Sequence, residues 1–211
     1  MRLYQFAYSH HCAKVRIVLL EKGIPHELPP IPGGSTRSPE FLAQNPLGKV
    51  PFLVDGPLGL AESEVIVEYL EDTVPEPAML PPGAADRARS RWLSRFHDLY
   101  FGKQLSVLYA ALSEGRRDDP TMGAEVDEMY RLTDMLEASI APAPFFFGER
   151  FGISDASFAL SVMYLDMLTA AYGRPYPTER APRLRAWYEV ACGRPAVAQV
   201  LAECRAALGQ A

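Results

Sequence analysis

A proline-rich segment between residues 73 and 84 divides this chain into two unlike parts. Its helix-breaking and strand-breaking residues are Pro75, Pro77, Pro81, Pro82 and Gly83. Proline lacks a backbone N–H and its ring clashes with the preceding helical turn, so neither a helix interior nor a central strand tolerates this density. We therefore predict a linker at residues 75–84, which separates a first domain at residues 1–74 from a second domain at residues 85–211.

The first part combines strand and helix patterns in the order βαβαββα. The predicted elements are a strand at Leu3–Ala7, a helix from Cys12 to Gly23, an edge strand with a loop at Pro25–Ser38, a short helix at Ser38–Gln44, a hairpin at Pro51–Ala61 and a helix that Ser63 caps. In the first helix, apolar residues recur every three or four positions, which turns Cys12 inward and leaves Lys14 and Glu21 on other faces. We therefore predict an α/β first domain.

The second part contains only helical patterns. Amphipathic stretches lie at Asp86–Gly115, Thr121–Ile140, Ser154–Ala171, Pro182–Ala191 and Pro195–Leu208. Pro142 and Pro144 interrupt the helices just before an aromatic run at residues 145–147, which we expect in the core. The sequence therefore predicts an all-α second domain.

The composition excludes several classes of protein. Hydrophobic residues make up 48% and charged residues 22% of the chain, which is typical of a globular protein rather than a disordered one. The net charge of -5 argues against nucleic acid as a partner, since binding to phosphates requires clustered Lys and Arg. No apolar run has membrane-spanning length and the first residues lack the zones of a signal peptide, so we expect a cytoplasmic protein without a membrane partner.

The cysteines and histidines give no pattern of a disulfide framework or a metal site. Cys12, Cys192 and Cys204 form an odd, scattered set that is typical of reduced cytosolic thiols. His10, His11 and Cys12 are adjacent, but three consecutive residues converge on one ion with difficulty and no second cluster completes a site. We therefore expect no metal.

Candidate chemistry lies between the first strand and the first helix, at residues 8–12. Unpaired N–H groups and the positive end of the helix dipole favour an anion here, such as a thiolate. Ser9 and Cys12 have the spacing of a Cys-x-x-Cys redox motif in which serine replaces the first cysteine. The Ser9 hydroxyl can bond the sulfur of a bound thiol and lower its pKa from the reference value of about 8.5. The alternative is that Ser9 only caps the helix.

Two further segments suit a peptide ligand. A proline opens a strand at Val50-Pro51, where a cis peptide can leave the Val50 backbone free to pair with a ligand; an ordinary trans proline is the alternative. At the next strand-to-helix junction, Ser63 can take a carboxylate and Glu62 can take an ammonium group, or the two can be a helix cap beside an exposed acid. Together with Ser9, these segments supply the parts that hold a γ-glutamyl-cysteinyl peptide.

Five stretches of the sequence match motifs of one known family. They are Ser-His-His-Cys-Ala-Lys-Val-Arg-Ile-Val-Leu at Ser9–Leu19, Asn-Pro-Leu-Gly-Lys-Val-Pro at Asn45–Pro51, Glu-Ser-Glu-Val-Ile-Val-Glu-Tyr-Leu at Glu62–Leu70, Ala-Pro-Arg-Leu-Arg-Ala-Trp-Tyr-Glu at Ala181–Glu189 and Gly-Arg-Pro-Ala-Val at Gly193–Val197. Over nearly its whole length the chain resembles the glutathione transferase family. The resemblance implies a cytosolic enzyme with a thioredoxin-like first domain and a helical second domain that lines the acceptor pocket.

The resemblance also implies a role for individual residues. Ser9 matches the catalytic serine of tau-like and zeta-like members, Lys49 and Val50 match glutathione contacts, Pro51 matches the cis proline, and Glu62 and Ser63 match the γ-glutamyl binders. Two positions depart from the family pattern. His10 and His11 stand where zeta-like isomerases continue Ser-Ser-Cys, which puts isomerase chemistry in doubt and leaves His10, His11 and Cys12 as candidate accessory groups. Gly152 replaces the usual Ser or Thr cap of a buried helix, although the acid Asp155 is present.

The resemblance implies glutathione as co-substrate and a homodimer as the assembly. We expect conjugation of the glutathione thiolate to a small, hydrophobic electrophile that lies against the helical domain. Arg95, Tyr100, Phe101 and Tyr109 are candidates to line that pocket, or are ordinary core and surface residues. Alternatives are glutathione-dependent thiol transfer through Cys12, isomerisation, or a binding protein that kept the fold and lost the chemistry.

Overall fold

The computed structural model describes residues 1–141 and 144–209; Pro142, one of the predicted helix breakers, lies outside the described residues. Three strands and nine α-helices are formed by the described residues. The strands are β1 Arg2–Tyr4, β2 Phe52–Asp55 and β3 Leu58–Ala61. The helices are α1 His10–Glu21, α2 Pro39–Leu42, α3 Ser63–Thr73, α4 Ala84–Phe96, α5 Gly102–Ser113, α6 Met122–Ser139, α7 Ile153–Ala171, α8 Pro182–Cys192 and α9 Pro195–Ala207.

The sheet is antiparallel, with β2 between β1 and β3. Leu53 pairs with Leu3 on one side and with Leu60 on the other, which places apolar side chains on the face that α1 and α3 cover. The edge strand predicted after α1 is wrong, because that segment makes only one parallel bridge, between Arg2 and Glu27. Prolines on both sides of Glu27 lack the N–H groups that a longer ladder requires.

Helix α1 lies between the two parts of the chain and is enclosed on every side. Its residues from Cys12 to Leu19 are all buried, and it packs against α3 in the first part and against α7 and α9 in the second. Cys12 points inward, as predicted. Lys14, which the hydrophobic period places on another face of the helix, is fully buried as well.

The segment predicted as a linker is fixed to both parts of the chain. The Glu71 carboxylate, at the end of α3, accepts hydrogen bonds from the N–H groups of Met79 and Leu80. The Lys22 ammonium forms an ion pair with Glu71 at 2.7 Å, and the Met79 carbonyl accepts from the N–H of Ile153 at 2.9 Å. The segment that joins the two parts is therefore held in place by hydrogen bonds to both of them.

The second part is all-helical, and α7 is its central helix. This helix contacts α1, α4, α5, α8 and α9. The helix predicted over residues 86–115 differs from the structure, because a π turn at His97–Phe101 separates α4 from α5. Within the described ranges, no helix has both the length and the apolarity needed to cross a bilayer. The α/β part followed by an all-helical part confirms the predicted fold class.

Asp155 closes the start of α7, where Gly152 replaces the usual Ser or Thr cap. Its carboxylate accepts from the N–H of Gly152 at 2.8 Å, from the N–H of Phe146 at 3.0 Å and from Nε1 of Trp187 at 2.6 Å. The side chain is 1% exposed, and burial raises its pKa to about 6. One acid therefore ties the loop before α7, the first turn of α7 and α8 together.

Candidate active site

Two adjoining cavities open beside the start of α1. The first, which we call the apolar cavity, has a volume of about 390 Å³ and is lined by Phe6, Tyr8, Ser9, His10, His11, Val50, Leu105, Ser106, Tyr109, Tyr164 and Leu168. The second, which we call the polar cleft, has a volume of about 230 Å³ and is lined by His11, Leu47, Lys49, Val50, Pro51, Ala61, Glu62, Ser63, Arg95, Asp98 and Leu99. His11 and Val50 belong to both linings, so the two spaces meet at these residues.

Ser9 is the N-cap of α1 and lines the apolar cavity. Its Oγ accepts a hydrogen bond from the N–H of Cys12 at 3.3 Å. A serine hydroxyl has two acceptor positions and one proton, so capping does not use the O–H of Ser9, which can bond the Cys12 thiol or donate to a ligand. The cap and the sulfur-binding role, which the sequence leaves as alternatives, are therefore compatible.

Cys12 lies one helical turn beyond Ser9 and away from both cavities. Its side chain is fully buried, and burial raises the pKa of its thiol to about 11. Only a very small fraction of this thiol is ionised at neutral pH, and the thiolate is the reactive form of cysteine. The geometry disfavours Cys12 as a nucleophile.

The start of α3 has features of an anion site. Glu62, which precedes α3, has a φ of 70° and is the only residue other than glycine with a positive φ among those described. Such a conformation is costly and is concentrated at functional sites. No side chain caps α3 in the described part of the chain, so N–H groups of its first turn, where Ser63 lies, are available to a carboxylate. The prediction that Ser63 caps this helix is wrong, because Ser63 is its first residue.

The segment before β2 presents free backbone groups to the polar cleft. The Val50–Pro51 peptide bond is cis, and neither the N–H nor the C=O of Val50 has a hydrogen-bond partner among the described residues. The carbonyl of Lys49 accepts from Nδ2 of Asn45 at 2.8 Å, which fixes this segment. Gly48 has a φ of 58°, and a side chain there would press against the carbonyl of Thr36, so glycine is required at this turn.

Three imidazoles meet where the two cavities join. The rings of His10 and His11 lie 4.1 Å apart between centroids, and His97 of the π turn lies 5.2 Å from His10 and 5.7 Å from His11. His10 fits against α5 because position 102 is glycine; a Cβ there would come within 2.6 Å of the ring. Burial, together with the neighbouring histidines, lowers the pKa of His10 well below 6.5, so its ring is neutral at physiological pH.

Asp98 organises this cluster from the π turn. Its Oδ1 lies 2.9 Å from Nδ1 of His97 and 3.4 Å from Nδ1 of His11, and its Oδ2 accepts from the Lys14 ammonium at 3.1 Å. Burial acts to raise the pKa of Asp98, but the bonds from the two histidines and the charge of Lys14 outweigh it and hold that pKa far below its ordinary value. Burial lowers the pKa of His97 to about 4. Asp98 is therefore a carboxylate and His97 is neutral.

The structure brings together a three-histidine group that the sequence did not reveal. One ring nitrogen each of His10, His11 and His97 lies within 4.8 Å of the others, so the expectation that no further ligand approaches the histidine pair is wrong. The surroundings do not fit a cation, however. Both ring nitrogens of His97 are already bonded, to Asp98 and to Oγ of Ser161, and the ammonium of Lys14 already sits on Asp98.

Comparison with known proteins identifies the family. The description "Glutathione S-transferase, N-terminal domain" matches residues 3–78, and "Glutathione S-transferase, C-terminal domain" matches residues 88–190. Glutathione S-transferase 3 from Zea mays is 31% identical over 211 residues, which span 96% of this chain and 93% of the maize protein. The chain belongs to the glutathione S-transferase family. It is a glutathione transferase with a thioredoxin-like first domain, as the motifs predicted.

Other relatives of this transferase differ in activity. Maleylacetoacetate isomerase from Pseudomonas aeruginosa is 31% identical over 209 residues, which span 94% of each chain. A solved tau-class glutathione S-transferase from mango, Mangifera indica, superposes with a TM-score of 0.82 at 25% identity and covers 100% of this chain and 98% of its own. The family is therefore clear, whereas the choice of acceptor depends on the cavity of this transferase.

The four residues expected in the acceptor pocket of the transferase separate in the structure. Tyr109 lines the apolar cavity, and Arg95 lines the polar cleft instead. Phe101 lines neither cavity and is a core residue, the alternative given for it above, since it is fully buried and packs edge-on against Phe158. Tyr100 also lines neither cavity and is a surface residue, 56% exposed. The positions of Phe101 and Tyr100 follow from the π turn, because it rotates residues 97–101 away from the positions they would have in a continuous helix.

Several residues of the site were not found from the sequence. Tyr164 of α7 lines the apolar cavity, and its hydroxyl donates to the carbonyl of Tyr8 at 2.6 Å, which fastens the loop before α1 to the helical part. His97 and Asp98 were not predicted as site residues either. The sequence contains a signal for them, since a histidine and an acid interrupt the aromatic and apolar run around the π turn at positions that a helical period would bury.

Proposed function

We propose that this transferase binds glutathione across the polar cleft, with its sulfur at the junction with the apolar cavity. The γ-glutamyl carboxylate binds the first turn of α3 beside Ser63, and its ammonium binds Glu62. The cysteinyl backbone pairs with the free N–H and C=O of Val50. The observation that carries this proposal is that the two cavities share His11 and Val50, next to Ser9.

Ser9 stabilises the thiolate rather than attacking the substrate. Its O–H donates to the glutathione sulfur, which lies at the positive end of the α1 dipole, and both effects favour the ionised form of the thiol. The sulfur then attacks an electrophile held in the apolar cavity, and binding of both reactants in one place replaces a bimolecular encounter.

The apolar cavity favours a small, uncharged and largely apolar acceptor. None of the described residues in its lining is Lys, Arg, Asp or Glu, and its walls are mainly aromatic and aliphatic. Burying a charged group there without a partner would be costly. The Tyr109 hydroxyl has no hydrogen-bond partner among the described residues and is available to a polar atom of the acceptor.

Isomerisation is the second candidate function. It is favoured by the similarity to maleylacetoacetate isomerase, whose substrate is acidic by its name. An apolar cavity without a cationic residue is a poor match to such a substrate, so turnover of an uncharged electrophile at a higher rate than of maleylacetoacetate supports conjugation. The reverse order of rates supports isomerisation.

The proposal extends to assembly and location. The exposed rings of Trp92 and Tyr100 flank Phe96 in a stacked row on α4 and the π turn, an apolar surface of the kind that a symmetric homodimer covers. We expect a homodimer in the cytoplasm. Sedimentation equilibrium at micromolar concentration tests the assembly, with a dimer mass expected and a monomer mass contradicting it.

Retention on immobilised glutathione, followed by conjugation to chlorodinitrobenzene, tests the function. The wild-type enzyme should be retained and active. Ser9→Ala should still be retained but lose about 100-fold in kcat at neutral pH, because one hydrogen-bond donor to the developing anion is removed. Cys12→Ala is the matched control and should keep most of its activity. Loss of activity in Cys12→Ala but not in Ser9→Ala would favour thiol transfer, and retention without any conjugation would favour a binding protein.

A further inference from the structure

Resting on the proposed function, we propose that His11 accepts the proton of the glutathione thiol and delivers it to the acceptor, to a basic leaving group or to water. This role adds a proton carrier to the thiolate stabilisation by Ser9. It also gives a function to a histidine that the family resemblance leaves unexplained.

The position of His11 is the first ground for this role. Apart from Val50, it is the only described residue that lines both the polar cleft and the apolar cavity. Its side chain is 34% exposed, so a ligand and solvent can reach it. A bound thiol at the junction and an acceptor in the apolar cavity would both lie beside this ring.

The orientation of His11 is the second ground. Its Nδ1 faces Oδ1 of Asp98 at 3.4 Å. A carboxylate is an acceptor only, so Nδ1 carries the ring hydrogen, and the lone pair is left on Nε2 at the opposite edge of the ring. Asp98 is itself held by His97 and Lys14. An imidazole that is oriented by a buried carboxylate is a common arrangement for a general base.

The charged groups near His11 come from α1, α4 and the π turn. Asp98 stabilises the imidazolium directly. The nearest imidazoles, His10 and His97, are neutral at physiological pH, so neither opposes a charge on His11. Two cations also contact Asp98: Lys14 of α1, and Arg95 of α4 at 3.4 Å. The charge of Lys14, which is buried, is balanced by an ion pair with Glu64 of α3.

His11 carries one proton through the reaction and ends in the form in which it began. The S–H bond of glutathione breaks and an N–H bond forms at Nε2 of His11, which produces a thiolate and an imidazolium. The thiolate forms a C–S bond with the acceptor. In a substitution the C–X bond breaks, and the imidazolium gives its proton to a basic X⁻, or to water where X⁻ is as weak a base as chloride. In an addition the C=C π bond breaks and the resulting carbanion takes the proton. The neutral imidazole is restored in both cases.

Substitution of His11 by Gln, with His26→Gln as the matched control, tests the proposal. His26 is the one histidine of the sequence outside the three-histidine group; it bonds Arg16 and the carbonyl of residue 24 and lines neither cavity. His11→Gln should bind glutathione with a Kd near that of the wild type and lose about 100-fold in kcat at pH 7. Ultraviolet difference spectra of bound glutathione should show less thiolate at pH 7 in this variant and an unchanged fraction in His26→Gln.

Chemical rescue separates proton transfer from a structural role. In His11→Ala the removed ring leaves a space at the junction, so added imidazole should raise kcat in proportion to the concentration of its neutral form. A wild-type rate in His11→Gln, or a loss in His11→Ala that imidazole does not restore, would overturn the proposal. A wild-type enzyme that a chelator inactivates and zinc restores would overturn it in favour of a metal. If the wild-type protein fails to bind glutathione at all, the proposed function fails instead.

Discussion

His97 illustrates how a buried polar residue is made tolerable. Its side chain has no exposed area, yet Nδ1 bonds Asp98 and Nε2 lies 2.8 Å from Oγ of Ser161, so both ring nitrogens have partners. In the neutral ring, the N–H at Nδ1 donates to the Asp98 carboxylate and Nε2 accepts the proton of the Ser161 hydroxyl, while complete burial disfavours a charged ring. The neutral form of His97 is therefore the one that the folded protein accommodates.

Acidification should consequently destabilise the fold through His97. Its folded pKa of about 4 lies below the ordinary value of 6.5, so between these values the unfolded chain binds more protons than the folded one. Stability contributed by the neutral ring is present above pH 6.5 and is lost as the pH falls towards 4. The loss is about 3 kcal/mol, at about 1.4 kcal/mol per pKa unit.

Urea unfolding between pH 4 and pH 7 measures this effect. The free energy of unfolding should fall less steeply with acidification in His97→Gln, which keeps a donor and an acceptor but cannot titrate, than in the wild type. His26→Gln should keep the wild-type slope. Equal slopes in His97→Gln and the wild type would show that His97 is not the group responsible.

Among the helices, α1 joins the two parts of the chain and carries one end of the site. Sequence periodicity predicts its position after β1, its N-cap and the burial of Cys12. It does not predict the burial of Lys14, because the period assigns a solvent face to a helix that both parts of the chain cover. Lys14 forms ion pairs with Glu64 of α3 and Asp98 of the π turn, and both partners are nearly buried.

Lys14→Met should lower the free energy of unfolding by about 3 kcal/mol or more, because it leaves Glu64 without its cation and leaves the buried Asp98 only the half-exposed Arg95. Arg89→Ala is the control: the ion pair of Arg89 with Asp86 has 72% and 52% exposed side chains, and its loss should cost less than about 1 kcal/mol. Urea unfolding at neutral pH measures both. A Lys14→Met variant as stable as Arg89→Ala would refute this account of α1.

The architecture of the molecule was largely predictable, and the site only in part. Proline density and hydrophobic periodicity are local signals, and they predict a mixed α/β part followed by helices. Short sequence motifs are local signals too, and the motif residues Ser9, Val50 and Ser63 do line the apolar cavity or the polar cleft. Residues 97 and 98 meet α1 only through the π turn, and no local pattern encodes that turn or the close approach of distant helices. The limits of the two domains stay a prediction.

The central claim is that the two cavities hold one ligand, with its sulfur at their junction. A crystal structure with S-hexylglutathione tests this most directly, because that compound carries both a peptide part and an apolar chain. We predict the γ-glutamyl group at Glu62 and Ser63, the sulfur beside Ser9 and His11, and the hexyl chain in the apolar cavity near Tyr109. An empty polar cleft, or a hexyl chain that points away from the apolar cavity, would contradict the account.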